Sequence, residues 1–158
     1  MFWDDLARIG AAAILGGVIG VEREWKGHWA GLRTHMMVAV GSAIFVVAGI
    51  EIANGDNEVV TRVIQGIASG IGFLGAGTIL KLDQTREIKG LTTASSIWLA
   101  AALGTAAGLA EYGLATASAI VSLFVLGVLG PVEKYLERRH KLHRGRGDVT
   151  ELAQVEQD

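Results

Sequence analysis

The stretch Ser69-Gly70-Ile71-Gly72-Phe73-Leu74-Gly75-Ala76-Gly77 carries most of the information about the fold of this chain. It lies in an uncharged run from Val63 to Leu80, which is about long enough to cross the hydrocarbon core of a membrane as a helix. Glycine inside a soluble helix costs roughly 0.8–1 kcal/mol relative to alanine. In a membrane, by contrast, small residues let helix backbones approach closely. The stretch therefore predicts a membrane helix that is buried among neighbouring helices on several sides.

The same residues also match the glycine spacing of a dinucleotide-binding turn, in Gly70-Ile71-Gly72-Phe73-Leu74-Gly75. That motif requires a preceding strand, a following helix and an acidic residue about 20 positions further on. Here the glycines lie inside one apolar run, and the next charges belong to a mixed loop. The pattern therefore favours a membrane helix over a nucleotide site.

The composition indicates an integral membrane protein with no recognisable catalytic machinery. Hydrophobic residues make up 51% of the chain and charged residues 19%, and the apolar residues form blocks between short charged segments. The absence of cysteine excludes disulfides and thiolate metal sites. No Ser-His-Asp set, phosphate loop or paired acid and base carboxylates can be identified. We therefore expect a non-enzymatic protein without a cofactor or metal site, and without nucleic-acid binding.

The apolar blocks predict an all-α bundle of five transmembrane helices with glycine-rich interfaces, or of four if the short first block only dips into the membrane. The spans cover about residues 6–21, 35–53, 63–80, 91–110 and 112–132, within a membrane domain over residues 1–132. Residues 54–61 and 81–89 are expected to be loops. Residues 133–158 are predicted to form a basic amphipathic segment and then a polar tail. Lysine and arginine concentrate in the 22–34 hinge, the 81–89 loop and the tail. The positive-inside rule therefore places the N-terminus outside and the C-terminus in the cytoplasm.

Small residues on the helices predict packing faces, as in the Gly16-x-x-x-Gly20 pair of the first span. The predicted packing glycines are Gly16, Gly20, Gly66, Gly70, Gly72, Gly75, Gly77 and Gly104. On a helical wheel, one side of the third span gathers Arg62, Gln65, Gly66, Ser69, Gly70, Ala76 and Gly77. This side is either a polar lining for an ion or a partner's helix, or a surface for close helix packing.

Other polar residues are candidates for function. The hinge charges are expected to form an ion-pair cluster or to anchor the chain at the interface. Threonine is expected to cap the start of the fourth span. Thr93, Ala100, Gly104 and Glu111 are spaced along one face of that span, so Glu111 is a candidate cation ligand or partner contact, or caps a short loop. The candidate polar residues are Glu22, Arg23, Glu24, Arg33, Thr34, Arg62, Gln65, Ser69, Thr92, Thr93 and Glu111.

Several ordered motifs carry a resemblance to a known family. They are Gly20-Val21-Glu22-Arg23-Glu24, Ala30-Gly31-Leu32-Arg33-Thr34-His35, the stretch from Ser69 to Gly77, Gly90-Leu91-Thr92-Thr93-Ala94 and Ile97-Trp98. Over about residues 6–130 the chain resembles the membrane domain of the MgtC/SapB family. Two features depart from that pattern. The tail is too short for the soluble ACT-like domain of larger members, and Val59-Val60-Thr61 stands where members often have Asp-Pro before the arginine.

The resemblance implies a multi-pass protein of the bacterial inner membrane, of a virulence-related type connected with magnesium homeostasis. It also implies effects on other membrane machinery, including the membrane part of the ATP synthase. Our leading hypothesis is a homo-oligomeric, non-enzymatic membrane protein that modulates such machinery or ion homeostasis. The alternative is a small cation (Mg²⁺) transporter or channel.

Overall fold

The computed structural model describes residues 1–82 and 87–130, and it confirms the predicted all-α class. Within these residues there are five α-helices: α1 (Phe2–Trp25), α2 (Leu32–Ala53), α3 (Asn57–Gly77), α4 (Leu91–Gly108) and α5 (Tyr112–Phe124). A π-helix, Val125–Leu129, follows α5. The chain divides into two compact units, Met1–Ser122 and Leu123–Asp158. The predicted tail, residues 133–158, lies outside the described residues.

Within residues 1–82 and 87–130, three helical segments are long and apolar enough to cross a membrane: α2, α3 and Tyr112–Leu129. The crossings of α1 and α4 stay predictions. The α1 helix continues on both sides of the predicted span 6–21, and its 24 residues extend over about 36 Å. Near its start, Nη1 of Arg8 donates to the carbonyl of Gly108 at 3.1 Å. Arg8 thus caps the C-terminal end of α4.

The central helix of the first unit is α4, which packs against α1, α2 and α3. Ten of its residues are buried: Thr93, Ser96, Ile97, Ala100, Ala101, Leu103, Gly104, Ala106, Ala107 and Gly108. Its main chain lies directly against α2, since a Cβ atom added at Gly104 would lie 2.7 Å from both the Cα and the carbonyl carbon of Ala39. Most of its buried residues are small, so neighbours can approach α4 from several directions.

The expectation that α3 is surrounded by other helices is wrong for a single copy of the chain. Only Ile71 and Gly75 of α3 are buried. Ile71 packs with Ile97 and Ala101 of α4, and Ile67 lies against this cluster. The physical reason is that only one side of α3, with Ile67 and Ile71, is used for this contact. Phe73 and Leu74 of the same helix are exposed.

The two expected loops contain more regular structure than predicted. Asp56 caps α3, because its Oδ1 accepts a hydrogen bond from the amide of Glu58 at 2.8 Å. The helix therefore begins at Asn57, within the predicted 54–61 loop. In the 81–89 loop, β1 (Leu80–Leu82) pairs antiparallel with β2 (Glu87–Lys89).

Candidate functional site

The candidate site lies where α1, α2 and α4 meet at one end of the first unit. Glycines bring α1 and α2 into main-chain contact there: a Cβ atom added at Gly20 would lie 2.6 Å from the Cα of Leu32. One at Gly16 would lie 2.7 Å from the Cβ of Ala39 and 2.7 Å from the carbonyl oxygen of His35. This close approach places the charged last turn of α1 against the first turn of α2.

Arg23 is the most deeply buried charged residue described, with 2% of its surface exposed. Its Nη1 lies 3.8 Å from Oε2 of Glu22, and its buried Nε and Nη2 have no hydrogen-bond partner among the described residues. Burial lowers the pKa of Arg23 from its ordinary value, while the charge of Glu22 raises it. Arginine keeps its charge at neutral pH, so a positive charge is held inside this end of the bundle.

The expected hinge cluster of Glu22, Arg23, Glu24 and Arg33 forms only in part. Glu22 pairs with Arg23 and, at 2.6 Å, with Lys26. Arg33 and its neighbour Thr34 are exposed, and Arg33 makes no ion pair with any residue the structure describes. The hinge charges therefore divide between a buried pair and an exposed surface.

Glu24 has a different role, as the cap of α2. Its Oε2 accepts a hydrogen bond from the amide of Leu32 at 2.8 Å. A carboxylate at this position also interacts favourably with the helix dipole. Gly31 leaves room for it, because a Cβ atom there would lie 2.7 Å from Oε2 of Glu24.

His35 and Ser96 join α2 to α4, and the sequence reasoning did not single out this pair. His35 is fully buried; its Nδ1 lies 2.8 Å from the carbonyl of Gly31 and its Nε2 lies 3.0 Å from Oγ of Ser96. Because a carbonyl can only accept, Nδ1 carries the proton in this contact. Ser96 in turn donates to the carbonyl of Thr93 at 2.9 Å. The sequence does contain a signal for this contact, because the polar residues His35 and Ser96 both belong to predicted membrane spans. Polar residues at membrane depth usually pair with each other.

A cavity of about 520 Å³ with a mixed polar and apolar lining opens at the start of α4. It is lined by Gly27, His28, Trp29, Thr78, Lys89 and residues 90–93. The N-cap of α4 is Gly90, with φ of 98° and no side-chain cap. The expected threonine cap is therefore not formed, and Thr92 and Thr93 lie in the first turn instead. The chain must have glycine at position 90, because a Cβ atom there would collide with the carbonyl oxygen of Thr78.

The polar side of α3 faces away from the rest of the first unit. Arg62, Gln65 and Ser69 are exposed, and Arg62 pairs only with Glu58, one turn away, at 3.2 Å among the described residues. Cβ atoms added at Gly66, Gly70, Gly72 or Gly77 would meet nothing within 4 Å. Of the predicted α3 packing glycines, only Gly75 lies against a neighbour: a Cβ atom added there would lie 3.6 Å from the Cβ of Ala94, an ordinary contact distance. Next to the polar side of α3, an apolar groove of about 600 Å³ lies between α3 and α2.

Glu22, Glu51 and Glu111, the acidic side chains that a cation path would need, do not come together. Glu111 lies beyond the end of α4, in the turn before α5, and its side chain is exposed rather than ending the buried face of α4. Glu51 is exposed near the C-terminal end of α2, whereas Glu22 lies near the opposite end of that helix. These ends are separated by about 30 Å along a helix of 22 residues. No three metal-ligating side chains gather among the described residues.

Comparisons with known proteins agree with the motifs. The model of the MgtC family matches residues 9–135. Protein MgtC of Brucella suis biovar 1 is 42% identical over 144 residues, which cover 87% of this chain and 58% of that protein. Protein SrpB of Synechococcus elongatus is 40% identical over 130 residues, 75% of this chain and 71% of that protein. Protein MgtC of Salmonella typhimurium strain LT2 is 39% identical over 113 residues, which cover 72% of this chain and 47% of that protein.

The chain thus spans less than two thirds of the length of the MgtC proteins it matches. No solved structure matches it. The matched residues include the hinge motif, the glycine stretch of α3 and the first turn of α4, which are the features that carried the resemblance. The chain is a membrane protein that belongs to the MgtC family.

Proposed function

We propose that this protein is a non-enzymatic component of the bacterial inner membrane that modulates other membrane machinery through helix-to-helix contact. The observation that carries the proposal is the outer face of α3, defined by Arg62, Gln65, Ser69, Gly72 and Ala76. All five residues are exposed in a single copy of the chain. They follow one another at spacings of three and four residues, which places them along one side of the helix.

The outer face needs a neighbour because of its chemistry. An amide side chain such as that of Gln65 costs several kcal/mol in hydrocarbon unless it finds a hydrogen-bond partner. Gly72 and Ala76 add little side-chain volume, so another helix backbone can approach closely. A glutamine can both donate and accept, so it can pair with a polar residue of the approaching helix or with its own counterpart in a second copy.

Two occupants fit this face: a second copy of the chain and a helix of another membrane protein. The family resemblance suggests the membrane part of the ATP synthase as such a partner. The distribution of lysine and arginine supports an orientation with the candidate site on the cytoplasmic side. In this arrangement the exposed face of α3 lies at membrane depth, where it can bind a partner helix and change its packing. A role in magnesium homeostasis would then act through the partner.

The absence of cysteine from the chain makes a direct test possible. Ser69→Cys places a thiol on the outer face, and Ile120→Cys places a matched thiol on an exposed position of α5. A short cross-linker with a maleimide at one end and a photoreactive diazirine at the other is attached to the thiol in native membranes, and the products formed on illumination are identified by mass spectrometry. We expect one discrete product from Ser69→Cys, either a dimer or a complex with one membrane protein, and none from Ile120→Cys.

Two results would contradict the proposal. One is equal or absent cross-linking of the Ser69→Cys and Ile120→Cys variants. The other is robust Mg²⁺ uptake by the purified protein in liposomes that Arg62→Ala or Glu111→Ala abolishes, which would establish the transporter instead.

A further inference from the structure

The first main-chain amides of α4 belong to residues that line the cavity at the start of this helix. Helices leave their first amide groups without an intrahelical acceptor, and these amides carry a partial positive charge. In α4, a helix of 18 residues, the N-cap is Gly90, which has no side chain to cap this end, and the first amides belong to Leu91, Thr92 and Thr93. All three residues line the cavity. Such a helix start is suited to bind an anion, phosphate in particular.

Thr93 provides a second, independent indication of a ligand. The residue is only 6% exposed, and it lines the cavity. Its carbonyl accepts from Ser96, but its hydroxyl makes no hydrogen bond with any residue that the structure describes. Among the described residues, the fully buried side-chain atoms without a partner belong to Glu22 and Arg23, so the hydroxyl of Thr93 is not sealed off and can reach the cavity that the residue lines. A ligand oxygen in the cavity would satisfy it.

The charge and size of the cavity suit a phosphate group that is part of a larger molecule. Lys89 and His28 line it, and none of the lining residues that the structure describes carries a carboxylate. Thr92 adds a second hydroxyl beside that of Thr93. A volume of about 520 Å³ exceeds the needs of a phosphate ion and lies in the range of small-molecule sites. Trp29, also in the lining, is 85% exposed, as is typical of aromatic residues at the level of lipid headgroups.

We propose that this cavity binds the phosphate group of a ligand at the start of α4. The amides of residues 91–93 and the hydroxyls of Thr92 and Thr93 hold the phosphate oxygens, and Lys89 supplies charge. The phosphate comes either from the headgroup of an anionic lipid or from a soluble phosphate compound. Both sources present the same tetrahedral oxygens to these groups, and the experiment has one arm for each.

The experiment uses the full chain purified into nanodiscs. In the first arm the lipid is phosphatidylcholine alone, and inorganic phosphate is titrated in a calorimeter. In the second arm the protein is released from vesicles of phosphatidylcholine and phosphatidylglycerol, and the phosphatidylglycerol retained on it is quantified by native mass spectrometry. Binding in the first arm identifies a soluble phosphate ligand, and selective retention in the second identifies a lipid.

Three variants connect the binding to the cavity. Thr93→Val removes one hydroxyl at nearly constant volume and should weaken binding about ten-fold, as expected for the loss of one hydrogen bond to a charged group. Thr92→Val tests the same chemistry at an exposed side chain, where the change leaves the buried packing intact. Lys89→Gln should weaken binding by a similar factor. Thr116→Val, at an exposed position of α5, is the matched control and should bind like the parent protein.

The proposal is overturned if the parent protein binds in neither arm. It is also overturned if Thr92→Val and Lys89→Gln bind as tightly as Thr116→Val. Should Thr93→Val fail to fold, as judged by size-exclusion chromatography, the comparison among the other three variants decides the question.

Discussion

Substitution of Gly104 by alanine tests whether α2 and α4 pack through main-chain contact. A Cβ atom at position 104 would lie 2.7 Å from the Cα of Ala39 and closer still to its carbonyl oxygen. Both obstacles belong to the backbone of α2, which cannot rotate away as a side chain could. The two helices would have to separate by roughly 1 Å, and a gap of that size already forfeits a quarter to a half of each contact energy across it.

The expected loss of stability follows from that geometry. Inserting a methyl group into a packed interior costs typically about 1–3 kcal/mol, and main-chain obstruction places Gly104→Ala at about 3 kcal/mol. Gly66→Ala is the matched control, because a Cβ atom there meets nothing within 4 Å. It removes a helix-interior glycine in the same way, and should leave the free energy of unfolding unchanged or raise it by up to about 1 kcal/mol.

The measurement is unfolding of the two variants and the parent in mixed micelles titrated with sodium dodecyl sulfate, followed by circular dichroism. The parent and Gly66→Ala should unfold at similar detergent fractions, and Gly104→Ala clearly earlier. If both variants unfold together, main-chain contact between α2 and α4 is not what holds the bundle, and the description of α4 as its central helix fails.

Three further predictions concern single side chains, each measured in the same titration. Glu24→Ala should lower the free energy of unfolding by about 1 kcal/mol, which is typical of the loss of a helix cap, because the amide of Leu32 loses its acceptor. An unchanged midpoint of the detergent titration would show that this cap does not stabilise the protein. His35→Leu should cost about 2 kcal/mol, because it removes the two hydrogen bonds of the imidazole, to the carbonyl of Gly31 and to Oγ of Ser96, at about 1 kcal/mol each. A loss below that of Glu24→Ala would contradict the α2–α4 link. Arg62→Ala should change the free energy of unfolding by no more than about 0.5 kcal/mol, since its ion pair is exposed. Combined with Ser69→Cys, it should nevertheless reduce cross-linking. A strongly destabilised monomer would instead assign Arg62 a role within the chain.

The sequence was sufficient for the fold class and the family. Charged segments interrupt the apolar blocks at nearly the places where the helices end, because hydrocarbon-length helices and their polar connections differ in composition. The helices nevertheless begin and end outside the apolar runs, as at Asn57, where a cap decides the boundary. Local capping chemistry, which short-range patterns show only weakly, determines these ends.

The arrangement of the helices was beyond the reach of the sequence. A side chain that faces lipid and one that faces another helix are both apolar or small, so the pattern could not distinguish the exposed glycines of α3 from the buried Gly104 of α4. The burial of Arg23 and the contact of His35 with Ser96, 61 residues away, likewise depend on which helices meet. The sequence by itself therefore determined that the chain forms membrane helices rich in small residues. Only the tertiary structure decided which of those residues touch, because that choice depends on contacts between segments far apart in the chain.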